Sequence, residues 1–227
     1  MCIRDRYGLY QAVHSSKDQS YALAMVKPDV LGSVLFVMGD YSKDKARRIT
    51  AELGLEKKEE SQEICFIPDN NYVGALERMC PELVRKGYIV DIDGNVIGEH
   101  NGVHKFTIGQ RRGLRVAMGR PYYVVAIDAE SNTVTLGPRE QLLRSKLTAT
   151  DVNWLVDEPT EAFRAAVKIR YNSPAVPARV KPGGRRVVIE FDKPLYAITP
   201  GQLAVFYIED EIGMKVAGGG WIERAFD

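Results

Sequence analysis

Cys65 lies in the stretch Ser61-Gln62-Glu63-Ile64-Cys65-Phe66-Ile67-Pro68. An acidic, polar lead-in and a short apolar exit suit a thiol held where a buried strand surfaces. A thiolate there is a soft nucleophile whose reactivity depends on pKa and access. Taken alone, the same residue reads more simply as a small core hydrophobe, because free cysteine is among the most buried residue types. The three cysteines, Cys2, Cys65 and Cys80, are odd in number and lack C-x-x-C spacing. That argues against a disulfide scaffold or a structural zinc site and fits a reducing cytoplasm. His14, His100 and His104 are not spaced as a metal site, so no metal ligand is assigned.

The formal net charge of the 227 residues is +1, but its distribution is uneven. From His100 to Ile127 the charged residues are Lys105, Arg111, Arg112, Arg115 and Arg120, with no carboxylate. From Ala162 to Ile189 they are Arg164, Lys168, Arg170, Arg179, Lys181, Arg185 and Arg186, again with none. Such stretches can form a phosphate-attracting surface. They can equally be solvated faces balanced by acid from elsewhere. Arg170-Tyr171 joins a guanidinium to a ring, a pair able to bind phosphate and stack on a base. No apolar run approaches the ~18–20 residues of a membrane helix, and no signal-peptide pattern is present.

The positioning elements follow from periodicity and breakers. Asp18–Val26 predicts a helix stopped by Pro28, and Val34–Val37 a buried strand. Ser42 predicts the cap of a helix over Lys43–Leu53 ended by Gly54, and Ile64–Ile67 a further strand. Asn71–Cys80 predicts a short helix. Tyr88–Ile92, Asp93-Gly94 and Asn95–Ile97 predict a hairpin with a type I′ turn. From about Pro121 short strands dominate: Tyr122–Asp128, Thr133–Leu136, Val167–Tyr171, Val176–Val180, Arg186–Phe191, Leu195–Ile198, Leu203–Ile208 and Met214–Ala217. Their spacing by Pro, Gly and Asp suggests a small closed barrel. Gly218-Gly219-Gly220 sits between strands with no following helix, which disfavours a phosphate loop. Met1–Arg6 reads as a non-native head, so the chain is expected to be truncated and Cys2 carries no role.

Several segments occur in one order: Lys17-Asp18-Gln19-Ser20-Tyr21, Gly39-Asp40-Tyr41-Ser42-Lys43, Ser61–Pro68, Phe106–Leu114, Arg170-Tyr171, Thr199–Tyr207 and Gly218–Ile222. Together they resemble the tRNA-specific 2-thiouridylases, the tRNA-uridine 2-sulfurtransferases. The resemblance implies an α+β multidomain fold. Residues 1–68 would be the C-terminal tail of an α/β nucleotide-binding domain of the PP-loop, adenine nucleotide alpha hydrolase-like type. Residues 69–143 would be a small connecting, tRNA-binding domain, and 144–227 an antiparallel β-barrel. It implies a cytoplasmic transferase that replaces the C2 oxygen of the wobble uridine of tRNA with sulfur. ATP activates that oxygen by adenylation.

By the same resemblance, Cys65 matches the persulfide-carrying cysteine. Lys17, Asp18, Gln19, Arg170, Tyr171 and Gln202 match tRNA-contacting positions. The partners implied are tRNA and a sulfur-donor protein of a cysteine desulfurase relay, without a membrane. The family's Ser-Gly-Gly-x-Asp-Ser nucleotide loop is absent, so no cofactor-binding residue is assigned and ATP is expected to bind outside this sequence. Also absent is the upstream cysteine that alternates with the Cys65 equivalent through a disulfide. The chain alone is therefore expected to be inactive. The alternative is a non-catalytic RNA-binding module in which Cys65 only packs.

Overall fold

The computed structural model describes residues 7–14, 18–55, 67, 71–116 and 119–227. Cys65 and Lys17, and the strand expected over Ile64–Ile67 apart from Ile67, lie outside them. Two compact units are present. One joins the N-terminal segment to Arg144–Pro194 and Ile198–Asp227; the other holds residues up to Leu143 and Leu195–Ala197.

The N-terminal segment is helical in pieces. α1 (Ser20–Leu23) is shorter than the expected helix, and α2 (Pro28–Leu31) begins at the proline. Pro fits the first helical position because its missing N–H is unpaired there anyway. α3 (Lys43–Glu52) starts where Ser42 Oγ accepts a hydrogen bond from Lys45 N at 3.2 Å, and Gly54 follows it at φ +68°. The Val34–Val37 strand does not form: Leu35 is 84% and Val37 64% exposed. A fully apolar strand needs cover on both faces, and no described segment covers this one.

The connecting unit carries α4 (Tyr72–Met79), capped by Asn71 Oδ1, which accepts from Gly74 N at 2.8 Å. Its four strands are β1 (Gly87–Val90), β2 (Val96–His100), β3 (Tyr123–Asp128) and β4 (Thr133–Gly137), ordered β2-β1-β4-β3. β1 and β2 form the expected hairpin, but not through a two-residue turn. The loop runs from Asp91 to Asn95, and Asp91 Oδ1 accepts from Asp93 N and Asn95 N, both at 2.9 Å. The carboxylate closes the loop in place of a primed turn. β1 pairs parallel with β4, and Ile89, Leu114, Val124, Val134 and Leu136 make the core.

The barrel is built from β5 (Leu143–Trp154), β6 (Phe163–Lys168), β7 (Val176–Gly183), β8 (Arg186–Tyr196), β9 (Leu203–Glu209) and β10 (Met214–Phe226), closed in the order β10-β5-β8-β7-β6-β9. Alternation on β7 and β8 sends Ala178, Val180, Val187 and Ile189 inward. The sequence reading missed β5 and split β8 by a separate strand at Leu195–Ile198; the observed β8 runs unbroken to Tyr196. β9 is buried on both faces because the N-terminal segment covers its outer one. Leu203, Val205 and Tyr207 pack there with Leu9, Tyr21, Ala24 and Leu31.

Glycines permit that close docking. A Cβ on Gly219 would lie 3.2 Å from Ala24 Cβ, and one on Gly218 only 2.5 Å from Asn153 O. The triple glycine therefore lets β10 approach its neighbours, as strand glycines do. Asn153 Nδ2 donates to Ala24 O and Val26 O, both at 2.8 Å, pinning the end of α1 to the barrel.

Candidate functional site

The turn Thr199-Pro200-Gly201-Gln202 leads into β9. Gln202 N donates to Thr199 O at 3.3 Å, and Gly201 has φ +82°. Pro at the second and Gly at the third position with positive φ define a type II turn. Ile222 N bonds Gln202 O and Gly201 N bonds Ile222 O, each at 2.8 Å, so the turn is clamped to β10 beside Trp221.

Asp18 fixes the facing segment. It is 5% exposed, and its Oδ1 accepts from Ala12 N and Ser20 N, both at 3.1 Å, while Oδ2 accepts from Ser20 Oγ at 2.7 Å. Ser20 Oγ lies 3.2 Å from Tyr207 Oη. Burial pushes the Tyr207 hydroxyl up to about 12, so it stays protonated. Asp18 thus lies beneath the surface as a brace, and the next residue, Gln19, is exposed. Gln19 Nε2 donates to Tyr171 Oη at 2.7 Å.

Arg170 and Tyr171 follow β6 in a bend. Ser173 Oγ accepts from Arg170 N at 3.2 Å and donates to Arg170 O at 2.9 Å. Arg170 Nη2 donates to Thr199 Oγ1 at 2.7 Å. Tyr171 meets Tyr21 edge-on at 6.2 Å, and Lys168 Nζ stands 5.5 Å and 5.7 Å over the two rings. Tyr21 Oη donates to Leu203 O at 2.9 Å, and burial raises its pKa.

Gln19, Tyr171 and Gln202 therefore come from distant parts of the chain to line one cleft of about 530 Å³, together with Trp221. Trp221 was not among the sequence candidates. It is 44% exposed, and its ring packs on no other aromatic among the described residues. The available signal was a bulky ring following three glycines in a strand. Asp18, Lys168 and Tyr171 also line a second cleft of about 420 Å³. Amides, a cationic amine, a guanidinium and two half-exposed rings can stack planar groups and hydrogen-bond their edges.

The basic stretches divide once folded. In the barrel, Arg164 pairs with Asp192, Arg185 with Asp151 and Arg186 with Glu223. Those cations are balanced by acid on other strands. In the connecting unit Lys105 Nζ pairs with Glu77 at 2.7 Å, which His104 Nε2 also approaches at 3.1 Å. Arg111, Arg112 and Arg115 have no ion pair among the described residues. No group of acidic, histidine or cysteine side chains suited to a metal occurs among the described residues. No described helix is long and apolar enough to cross a membrane.

The fold and the cleft define a modular protein: a connecting sheet unit, and a barrel that is joined by a helical N-terminal segment and carries an aromatic, amide-lined site. Family models match along the chain: a tRNA methyl transferase HUP domain over residues 3–69, a tRNA methyl transferase PRC-barrel domain over 75–138, and an aminomethyltransferase beta-barrel domain over 144–222. The chain belongs to the tRNA-specific 2-thiouridylase family. It is 41% identical to the tRNA-specific 2-thiouridylase MnmA of Halothermothrix orenii, with 99% of this chain and 63% of that protein covered. The corresponding figures are 44%, 96% and 61% for the MnmA of Chloroflexus aggregans. For the MnmA of Geobacter metallireducens they are 46%, 92% and 56%. The chain thus spans about three fifths of the length of these curated relatives.

Proposed function

We propose that this chain is the tRNA-gripping and sulfur-delivering part of a tRNA-uridine 2-sulfurtransferase. The observation that carries the reading is the convergence of Gln19, Tyr171 and Gln202 on one cleft beside Arg170. These are positions that the family resemblance links to tRNA. Tyr171 and Trp221 offer stacking faces, Gln19 and Gln202 offer amides to base edges, and Arg170 and Lys168 face phosphate. Asp18 acts as a brace that holds Gln19 at the rim rather than as a contact. Lys17, adjacent in sequence, adds positive charge.

Cys65 carries the sulfur as a persulfide, whose terminal sulfur attacks C2 of a uridine taken out of its stack. The C2 oxygen leaves with the group that activated it; a second thiol, at the family's other catalytic cysteine, then attacks Cys65 Sγ and breaks its bond to the transferred sulfur, so sulfur stays on C2 and the two cysteines end as a disulfide. A cysteine desulfurase relay protein supplies the persulfide sulfur. Activation of the oxygen by ATP belongs to the same reading. Among the described residues none fits the nucleotide: the one run of three glycines is strand, with its Cα hydrogens against β5 and β9 backbone. No step through ATP is assigned to them. The 227-residue chain by itself is therefore expected not to thiolate tRNA. The three units of the reading are residues 1–68, 69–143 and 144–227.

Arg170→Ala tests the grip. Loss of one phosphate contact weakens tRNA binding and lowers the slope of log K against log salt by about 1. Filter binding across a salt series reads both. An unchanged slope contradicts a phosphate contact at Arg170.

A further inference from the structure

We propose that the connecting unit holds a dedicated binding pocket for an RNA phosphodiester, with Arg115 as its central cation. The inference rests on the tRNA reading above and adds a second contact point to it. A cleft of about 450 Å³ in this unit is lined by Arg111, Gly113, Arg115, Arg120, Tyr122 and, at its floor, the fully buried Leu136. No carboxylate lines it among the described residues.

The backbone at Arg115 supplies an independent observation. Arg115 has φ +55°, in the left-handed region that side chains other than Gly, Asn and Asp seldom occupy. The strain is held by its neighbours. Leu114 is buried in the core of the unit and Val116 packs against it, so Arg115 is turned outward between two anchors. Glycine would relieve that conformation, yet the position carries a long cation. Strain of this kind persists where surrounding structure over-determines it, and it clusters at binding sites.

Arg120 is positioned as well. Its guanidinium lies 5.2 Å over the Tyr122 ring and donates to Tyr122 Oη at 2.9 Å and 3.3 Å. These contacts leave its charge uncompensated. Neither Arg111 nor Arg115 has an ion pair among the described residues. Three cations around one cleft repel each other, and a bound phosphate turns that repulsion into attraction. Planar guanidinium forks suit phosphate oxygens better than a point charge does.

The test is Arg115→Gly in the 227-residue chain, because strain relief and loss of binding move opposite ways. The pocket requires a melting temperature equal to or above that of the unsubstituted chain. It also requires tRNA affinity roughly tenfold lower at about 0.1 M salt, and a log K–log salt slope smaller by about 0.9. Unchanged affinity and slope overturn the pocket; if Arg170→Ala still lowers them, the tRNA reading survives without it. A chain that binds no tRNA overturns both. ATP and inorganic phosphate separate the phosphate sources. Weak competition at millimolar concentration, unaffected by Arg115→Gly, supports a phosphodiester of RNA. Tight ATP binding that Arg115→Gly abolishes overturns the RNA assignment.

Discussion

Replacing Trp221 by Ala isolates the stacking part of the barrel cleft. The ring stands outward from β10 and is already 44% exposed. An aromatic side chain can bury roughly 150–250 Å². About half of that, at about 25 cal/mol per Å², limits the stability loss to roughly 2–3 kcal/mol, an upper bound. Base–aromatic stacking is worth about 1–3 kcal/mol by alanine substitution, which is roughly 5- to 150-fold in affinity. No charge is removed, so the salt slope stays the same. Trp221→Phe keeps a ring and should retain most of the affinity. The other tryptophan, Trp154, contacts Phe163 and Phe206 at 6.2 Å and 5.7 Å. In a Trp154→Phe background, tRNA should therefore quench Trp221 fluorescence. Unchanged affinity in Trp221→Ala with no quenching refutes the stacking role, and a changed salt slope refutes its uncharged character.

Other outcomes follow from the same geometry. Asp18→Asn removes an acceptor from a buried set of three hydrogen bonds and should cost the barrel unit about 2–3 kcal/mol in urea unfolding; a stability within 0.5 kcal/mol of wild type contradicts the brace. His100 is 7% exposed, and burial lowers its pKa from the ordinary value, with His104 adding to the shift. It is neutral in the fold, while the unfolded chain takes up a proton near about 6.5. Its contribution is complete above that pH and falls away as pH drops through the lowered folded value. Thermal unfolding of the connecting unit should show that decline, and His100→Gln should flatten it. Glu77, whose carboxyl is held low by Lys105 and His104, loses its contribution only at more acidic pH, which separates the two.

Local rules carried the hairpin, the cap at Ser42, the short helix ahead of Pro81, and the barrel, because breakers and alternation are read residue by residue. They failed where distant partners decide. Val34–Val37 has the composition of a buried strand, but burial depends on a covering surface that composition does not specify. β5 escaped notice because it runs from Leu143 to Trp154 without a Gly or Pro to mark its ends. The split of β8 placed a boundary at Pro194, which the strand tolerates. The cleft was legible only through resemblance, since nothing local ties position 19 to 171 and 202. Charge runs misled in part: Arg164, Arg185 and Arg186 are paired across strands, whereas Arg111, Arg112 and Arg115 of the connecting unit have no ion pair among the described residues. Arg115 and Trp221 became visible through a backbone angle and an exposure.

The most direct test of sulfur delivery joins this chain to the nucleotide-binding region that the family resemblance implies and compares Cys65 with Cys65→Ser. Nucleoside mass spectrometry measures 2-thiouridine in tRNA after incubation with ATP and a sulfur donor, and filter binding measures tRNA affinity on the same samples. A sulfur-carrying Cys65 requires 2-thiouridine to vanish in the variant while affinity stays within about twofold, a change of roughly 0.4 kcal/mol. Undiminished 2-thiouridine in Cys65→Ser contradicts it and leaves an RNA-binding module whose cysteine only packs.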